Sequence, residues 1–219
     1  MNENFEAVCL PVGPLPTNCY VIKRKESDEC LIVDPGPGAG ALADRILAKD
    51  WKPAAILVTH GHSDHVDGLA DLQAVLAGKT GDEVPSYSAE SEKDVFVNPE
   101  ENVSPMITGE AKTYSVDRWL TDGEEITLAD ILIRTLYTPG HTRGGCSFYL
   151  PEAGVVFVGD TVFAGGVGRT DFPGGSMSEL IRSATEKILT LPDDTDLLPG
   201  HGDFTTVGRE KIENPYICY

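Results

Sequence analysis

With 219 residues, 41% of them hydrophobic and 24% charged, the chain is long enough to bury a substantial core as one domain. Its formal net charge of −18 excludes the basic surface that nucleic acid or an anionic membrane requires, and no apolar run reaches the roughly 20 residues of a bilayer span. The opening "MNENFEAVCLPVG" has neither a basic start nor an apolar stretch of signal-peptide length, and the five cysteines are scattered without a CxxC pair, so a cytoplasmic protein with reduced thiols is expected.

The first apolar runs, "CYVI" (19–22) and "CLIVD" (30–34), are short, bounded by turn residues, and read as buried strands, with Cys19 and Cys30 as small buried hydrophobes. Residues 39–49 place Leu42, Ile46 and Leu47 on one helical face; "AAILVTH" (54–60) is again strand-like; 66–77 repeats the helical pattern with Leu69, Leu72, Val75 and Leu76. The stretch 78–118 is polar, interrupted by Pro85, Pro99 and Pro105, and reads as a long excursion with one helix near 88–95. Strand-like runs return at "ILIRTLY" (131–137), "GVVFVGD" (154–160) and "DLLPGH" (196–201). Between the last two, 176–191 is an amphipathic helix opened by Ser176 and Glu179 at capping-box spacing. Strands and helices interleaved throughout predict a single α/β domain.

All five histidines lie just beyond the ends of these strand-like runs. "VTHGHSDHVDG" (58–68) holds His60, His62 and His65 together with Asp64; "TPGHTRGG" holds His141, "FVGD" holds Asp160 and "LPGHG" holds His201. Each has an ordinary explanation alone, as a solvated loop histidine or a turn-capping aspartate. Their shared placement has none, because loops from neighbouring strand ends converge in α/β folds. Protonated, the clustered rings repel one another; neutral, they lack partners. A divalent cation resolves both difficulties by using the lone pairs of neutral imidazole and carboxylate. Six or seven such groups exceed one tetrahedral ion and suit two ions sharing a carboxylate.

The HxHxDH run of His60, His62, Asp64 and His65, followed by GHT at His141, GD at Asp160 and PGHG at His201, resembles the metallo-β-lactamase superfamily over nearly the whole chain. The resemblance implies a four-layer αββα sandwich, a single α/β domain over residues 1–219, with a metal pair at one edge. One ion would take His60, His62 and His141, the other Asp64, His65 and His201, and Asp160 would bridge. "FVGDTVFAGGVGRTDFPGG" (157–175) and "PGHGDFTTVGREKIENPY" (199–216) are most similar to the short bacterial relatives of type II glyoxalases. The function so implied is hydrolysis of a hydroxyacylglutathione-like thioester, a small-molecule substrate, by metal-bound hydroxide. Asp64 and Asp160 would be catalytic, and two divalent ions, zinc first and iron or manganese as alternatives, would be the cofactors. Arg169 matches the family's basic substrate-binding residue, while Asp171 stands where the family has a tyrosine. Asp34 is placed to orient a ligand histidine, or simply opens a "DPG" turn. A "GRTDF" loop also occurs in persulfide dioxygenases of the superfamily, whose single iron would correspond to His60, His141 and Asp160. A β-lactamase or lactonase is a third reading.

Overall fold

A computed structural model describes residues 1–217. Its first sheet has six strands in sequential order: β1 (Phe5–Val12), β2 (Thr17–Arg24), β3 (Glu29–Val33), β4 (Lys52–Leu57), β5 (Ser86–Ala89) and β6 (Arg118–Leu120). β1 to β3 pair antiparallel, and β3 to β6 pair parallel. The second sheet begins with the antiparallel run β7 (Glu125–Leu128), β8 (Ile131–Tyr137), β9 (Cys146–Leu150) and β10 (Val155–Gly159). A small ribbon follows, β11 (Val162–Phe163) with β12 (Gly166–Val167). Then β13 (Asp196–Pro199) returns parallel to β10, and β14 (Thr205–Thr206) closes the edge.

The apolar runs are continuous because these strands are covered on both faces. In β3, Leu31 and Val33 join the core between the sheets, whereas Cys30 and Ile32 face the outer helices. In β10, Val155 and Phe157 point inward and Val156 and Val158 outward. Against the first sheet lie α1 (Ala39–Leu47) and α3 (Leu69–Thr80), through Leu42, Ile46, Leu69, Leu72 and Leu76. Three short helices accompany them: α2 (Ser63–Val66), α4 (Lys93–Val97) and α5 (Ser104–Thr108). Against the second sheet lie α6 (Met177–Ser183), continued as a π-helical turn to Ile188, and α7 (Val207–Glu213), through Leu180, Ala184, Ile188 and Val207. The result is the expected α/β four-layer αββα sandwich. Ser176 caps α6 by accepting the Glu179 amide, as the spacing predicts.

Two expectations need correction. The helix expected over 66–77 is interrupted between Val66 and Leu69, which separates α2 from α3, and Gly68 at the interruption has no room for a side chain beside the Gly36 carbonyl. The stretch 78–118 is not an excursion from the fold. It supplies β5, an interior strand beside β4, and β6, while its helix starts at Lys93 after a 3-10 turn (Glu90–Glu92). The four residues of β5, SYSA, are too polar to show a strand period; Ser88 is satisfied by donating to the Val58 carbonyl at 2.8 Å. Cys9, Cys19, Cys30 and Cys146 are free thiols, and Cys218 lies outside the described residues. No described helix is long and apolar enough to cross a membrane.

Candidate metal centre

The parallel pairs β3–β4 and β10–β13 bring their carboxyl ends to one edge of the sandwich. There Gly200 N–H donates to Gly159 O at 2.8 Å, and Asn18 N–H donates across the sheets to Gly200 O at 2.7 Å. Tyr20 Oη donates to Pro199 O at 2.7 Å, so β2 is tied to the end of β13. Gly200 must be glycine, because a Cβ there would sit on Asp160 Oδ1 and His65 Cε1.

Beyond β4 the chain delivers His60, then His62 in extended conformation as the residue before α2, then Asp64 and His65 on the first turn of α2. His141 follows β8, Asp160 follows β10 and His201 follows β13. The seven residues meet. His141 Nε2 lies 2.9 Å from His62 Nδ1 and 3.5 Å from Asp160 Oδ2. His65 Nε2 lies 3.5 Å from Asp160 Oδ1 and 3.6 Å from Asp64 Oδ2. His201 Nε2 lies 3.1 Å from Asp64 Oδ2 and 3.6 Å from Asp160 Oδ2. Three overlapping donor groups result, each with its ligand atoms within 4.8 Å: His60, His62 and His141; His60, His65 and Asp160; Asp64, His65 and His201.

The protons on these rings are directed outward by fixed acceptors. Asp34, with φ of 53°, accepts the Thr59 amide and the Thr59 hydroxyl, both at 2.7 Å, and His65 Nδ1–H at 3.0 Å. Since the Thr59 hydroxyl donates to Asp34, its oxygen is left to accept from His60 Nδ1 at 3.1 Å. His141 Nδ1–H donates to the Arg169 carbonyl at 2.7 Å. In these three rings, neutral with Nδ1 protonated, Nε2 carries the lone pair and faces the centre, whereas His62 turns Nδ1 towards His141 Nε2. Among the described residues, His60 Nε2, His62 Nε2, His65 Nε2 and Asp160 Oδ1 are buried without a hydrogen-bond partner. Unpaired buried polar atoms are expensive, and a cation is the partner that lone pairs of this kind accept. The donor set therefore fits bound metal ions.

Electrostatics divides the cluster. Burial, reinforced by the neighbouring rings, holds His60 and His62 well below the usual imidazole range, and burial also lowers His141. Burial opposes charge on His65 as well, but Asp64, Asp160 and Asp34 outweigh it and push the ring up to about 10. His201 is raised against the effect of burial by its hydrogen bond to Asp64. Asp64 is held below the usual carboxylate range because His65 and His201 outweigh its desolvation. One side thus offers neutral donors and the other compensated carboxylates, an arrangement in which cations can replace protons.

Arg169 stands at the mouth, with its guanidinium exposed and paired to Asp171 through two contacts of 2.7 Å. It stacks on Phe172, 4.0 Å from the ring centroid, and Phe172 in turn stands edge-on to His62. Three contributors carry no signal in the sequence pattern. Thr59 links Asp34 to His60, Thr17 Oγ1 lies 3.1 Å from Asp64 Oδ2, and Glu92 accepts the Gly61 amide at 3.0 Å.

Residues 12–201 match the family model described as "Metallo-beta-lactamase superfamily". The chain is 37% identical over 209 residues to "Hydroxyacylglutathione hydrolase GloC" of Haemophilus influenzae, covering 95% of this chain and 96% of that one. Its fold is similar to the crystal structure of BLEG-1 B3 metallo-beta-lactamase, with a TM-score of 0.86, 34% identity and coverage of 97% and 99% of the two chains. It is also similar to TTHA1623 in a di-iron-bound form, with a TM-score of 0.80, 32% identity and coverage of 95% and 99%.

Proposed function

The chain belongs to the metallo-β-lactamase superfamily, and we propose that within it the protein is a dinuclear metal-dependent hydrolase of thioesters of the hydroxyacylglutathione kind. The observation that carries this reading is the presence of separate donor groups on both sides of Asp160. A centre for one iron built on His60, His141 and Asp160 leaves Asp64, His65 and His201 without a task. The similarity to a hydroxyacylglutathione hydrolase and to a di-iron protein supports the same choice.

His60, His62 and His141 would hold one divalent ion and Asp64, His65 and His201 the other, with Asp160 shared, the ions being zinc first, with iron or manganese as alternatives. Bound there, the pair supplies Lewis acidity and a water of lowered pKa, so that hydroxide is available at neutral pH. The protein's own part is preorganisation. Asp34, Thr59 and the Arg169 carbonyl fix three imidazoles before substrate arrives, so no reorganisation is required during reaction. Asp64 Oδ2 and Asp160 Oδ2, both facing His201 Nε2, would accept hydrogen bonds from the attacking water and orient it. A thiolate leaving group, with pKa near about 8.5, departs without a protein acid, which suits a site whose histidines are all occupied as donors. Arg169 receives a substrate carboxylate by exchanging it for Asp171, with Phe172 as the apolar wall beside His62. The substrate is a small molecule; a net charge of −18 suits neither nucleic acid nor an anionic membrane.

The test is anaerobic incubation of metal-loaded protein with lactoylglutathione. Loss of the thioester absorbance without oxygen is expected. Oxygen uptake with glutathione persulfide, and no thioester cleavage, would overturn the reading.

A further inference from the structure

The 3-10 turn before α4 carries a carboxyl group that the proposed chemistry does not use. Glu92 has 0% exposure and lies between the two loops that present His60, His62 and His141. Its Oε1 accepts the amide of Gly61, the peptide between the two histidines, at 3.0 Å. Gly144, three residues after His141, packs directly on the backbone of Ser91 and Glu92. Glu92 Oε2 is buried and makes no hydrogen bond among the described residues.

The surrounding contacts make this a seat for both loops. Ser91 Oγ donates to the Gly144 carbonyl at 2.6 Å. A Cβ on Gly144 would collide with the Ser91 carbonyl, and one on Gly61 would meet Phe96 Cδ2 at 2.8 Å. Further along the same segment, Asn102 O accepts the Ser63 amide at 2.9 Å, and Glu101 pairs with Arg143 at 2.8 Å. The 91–102 segment therefore grips the 60–63 loop and the 141–145 loop at two levels. A buried acid is a poor space-filler, since an apolar side chain of similar size fills the volume without desolvating a polar group. What the acid adds is direction: it can hold two peptide segments at fixed separation. Burial pushes its pKa up to about 8, so at neutral pH the group keeps a proton while Oε1 accepts from Gly61.

We propose that Glu92 is a positioning residue of the metal centre. Its carboxyl holds the Gly61 peptide while the Ser91–Glu92 backbone seats Gly144, and together they set where His60, His62 and His141 converge. The inference rests on the metal-centre reading given above. It assigns the stretch 90–102 the task of backing the ligand loops.

Cobalt(II) titration of the metal-free protein tests it, comparing wild type with Glu92→Ala, Glu92→Gln and Ser91→Ala. Affinity is read by competition with a chromogenic chelator, geometry by the ligand-field absorption bands, and folding by Tm without metal. Glu92→Ala is expected to bind about 10- to 100-fold more weakly, with altered bands, as typifies loss of a group that orients ligands. Glu92→Gln, which can still accept from Gly61, should stay within about threefold of wild type with unchanged bands. Ser91→Ala should weaken binding by about two- to fivefold. A Glu92→Ala protein that folds and keeps wild-type affinity and bands overturns the proposal, as does a folded Glu92→Gln protein impaired as severely as Glu92→Ala. If Glu92→Ala does not fold, Ser91→Ala decides, and wild-type affinity and bands there overturn it. Wild-type protein that takes up no cobalt refutes instead the metal-centre reading itself, and the clamp falls with it.

Discussion

Asp34 Oδ2 stands 3.0 Å from His65 Nδ1, and the same carboxylate accepts both the amide and the hydroxyl of Thr59 at 2.7 Å. One buried side chain thus orients His65 directly and His60 through Thr59. Asparagine tolerates the positive φ of this position, so Asp34→Asn preserves the backbone while replacing an acceptor with a donor. Metal affinity should fall by about 10- to 100-fold, with Tm of the metal-free protein changing little by comparison. Chelator competition measures the first quantity and thermal unfolding the second; unchanged affinity would remove Asp34 from the centre.

The Arg169–Asp171 pair makes a second prediction. An exposed ion pair contributes little, so releasing the guanidinium gives a modest effect of defined sign. In Asp171→Asn, KM for an anionic thioester such as lactoylglutathione should drop by about two- to fivefold, with kcat preserved. KM for an uncharged thioester should not move. Equal changes for both substrates would mean that Arg169 does not receive the carboxylate.

Glu92 ties stability to pH in a direction that can be worked out. Its carboxyl is raised in the folded protein from 4.5 to about 8 by burial. The folded state therefore holds a proton that the unfolded state releases between these values. This contribution to stability is complete below pH 4.5 and is lost as pH rises towards about 8. Denaturant unfolding of metal-free wild type should weaken over that window more steeply than that of Glu92→Gln, which has no proton to lose. Parallel curves for the two proteins would show that Glu92 ionises normally.

The ligands were legible in the sequence because histidine is scarce in this chain and every copy lies just beyond the end of a short apolar run. Strands such as β3 and β10 announced themselves by unbroken Val, Ile and Leu, with alternate residues serving the two cores. β5 did not, since Ser86 and Ser88 satisfy their hydroxyls within the fold, Ser86 on Asp117 and Ser88 on Val58, and so read as loop residues. The break between α2 and α3 coincides with the close approach of Gly68 to Gly36, a tertiary contact with no local sign. Glu92 was hidden for a different reason. In a chain with 35 acidic residues one more carboxylate looks like surface charge, and only the folded contacts distinguish it. Arg169 could be placed near the site from its motif, but its engagement with Asp171 required coordinates.

The count of metal ions per chain, measured by mass spectrometry on wild type and on His62→Ala, tests the central claim most directly. Two ions per wild-type chain are predicted, with thioester hydrolysis, and loss of at least one ion together with that activity in the variant. One iron per wild-type chain, or a His62→Ala protein that keeps both ions and full activity, would contradict it.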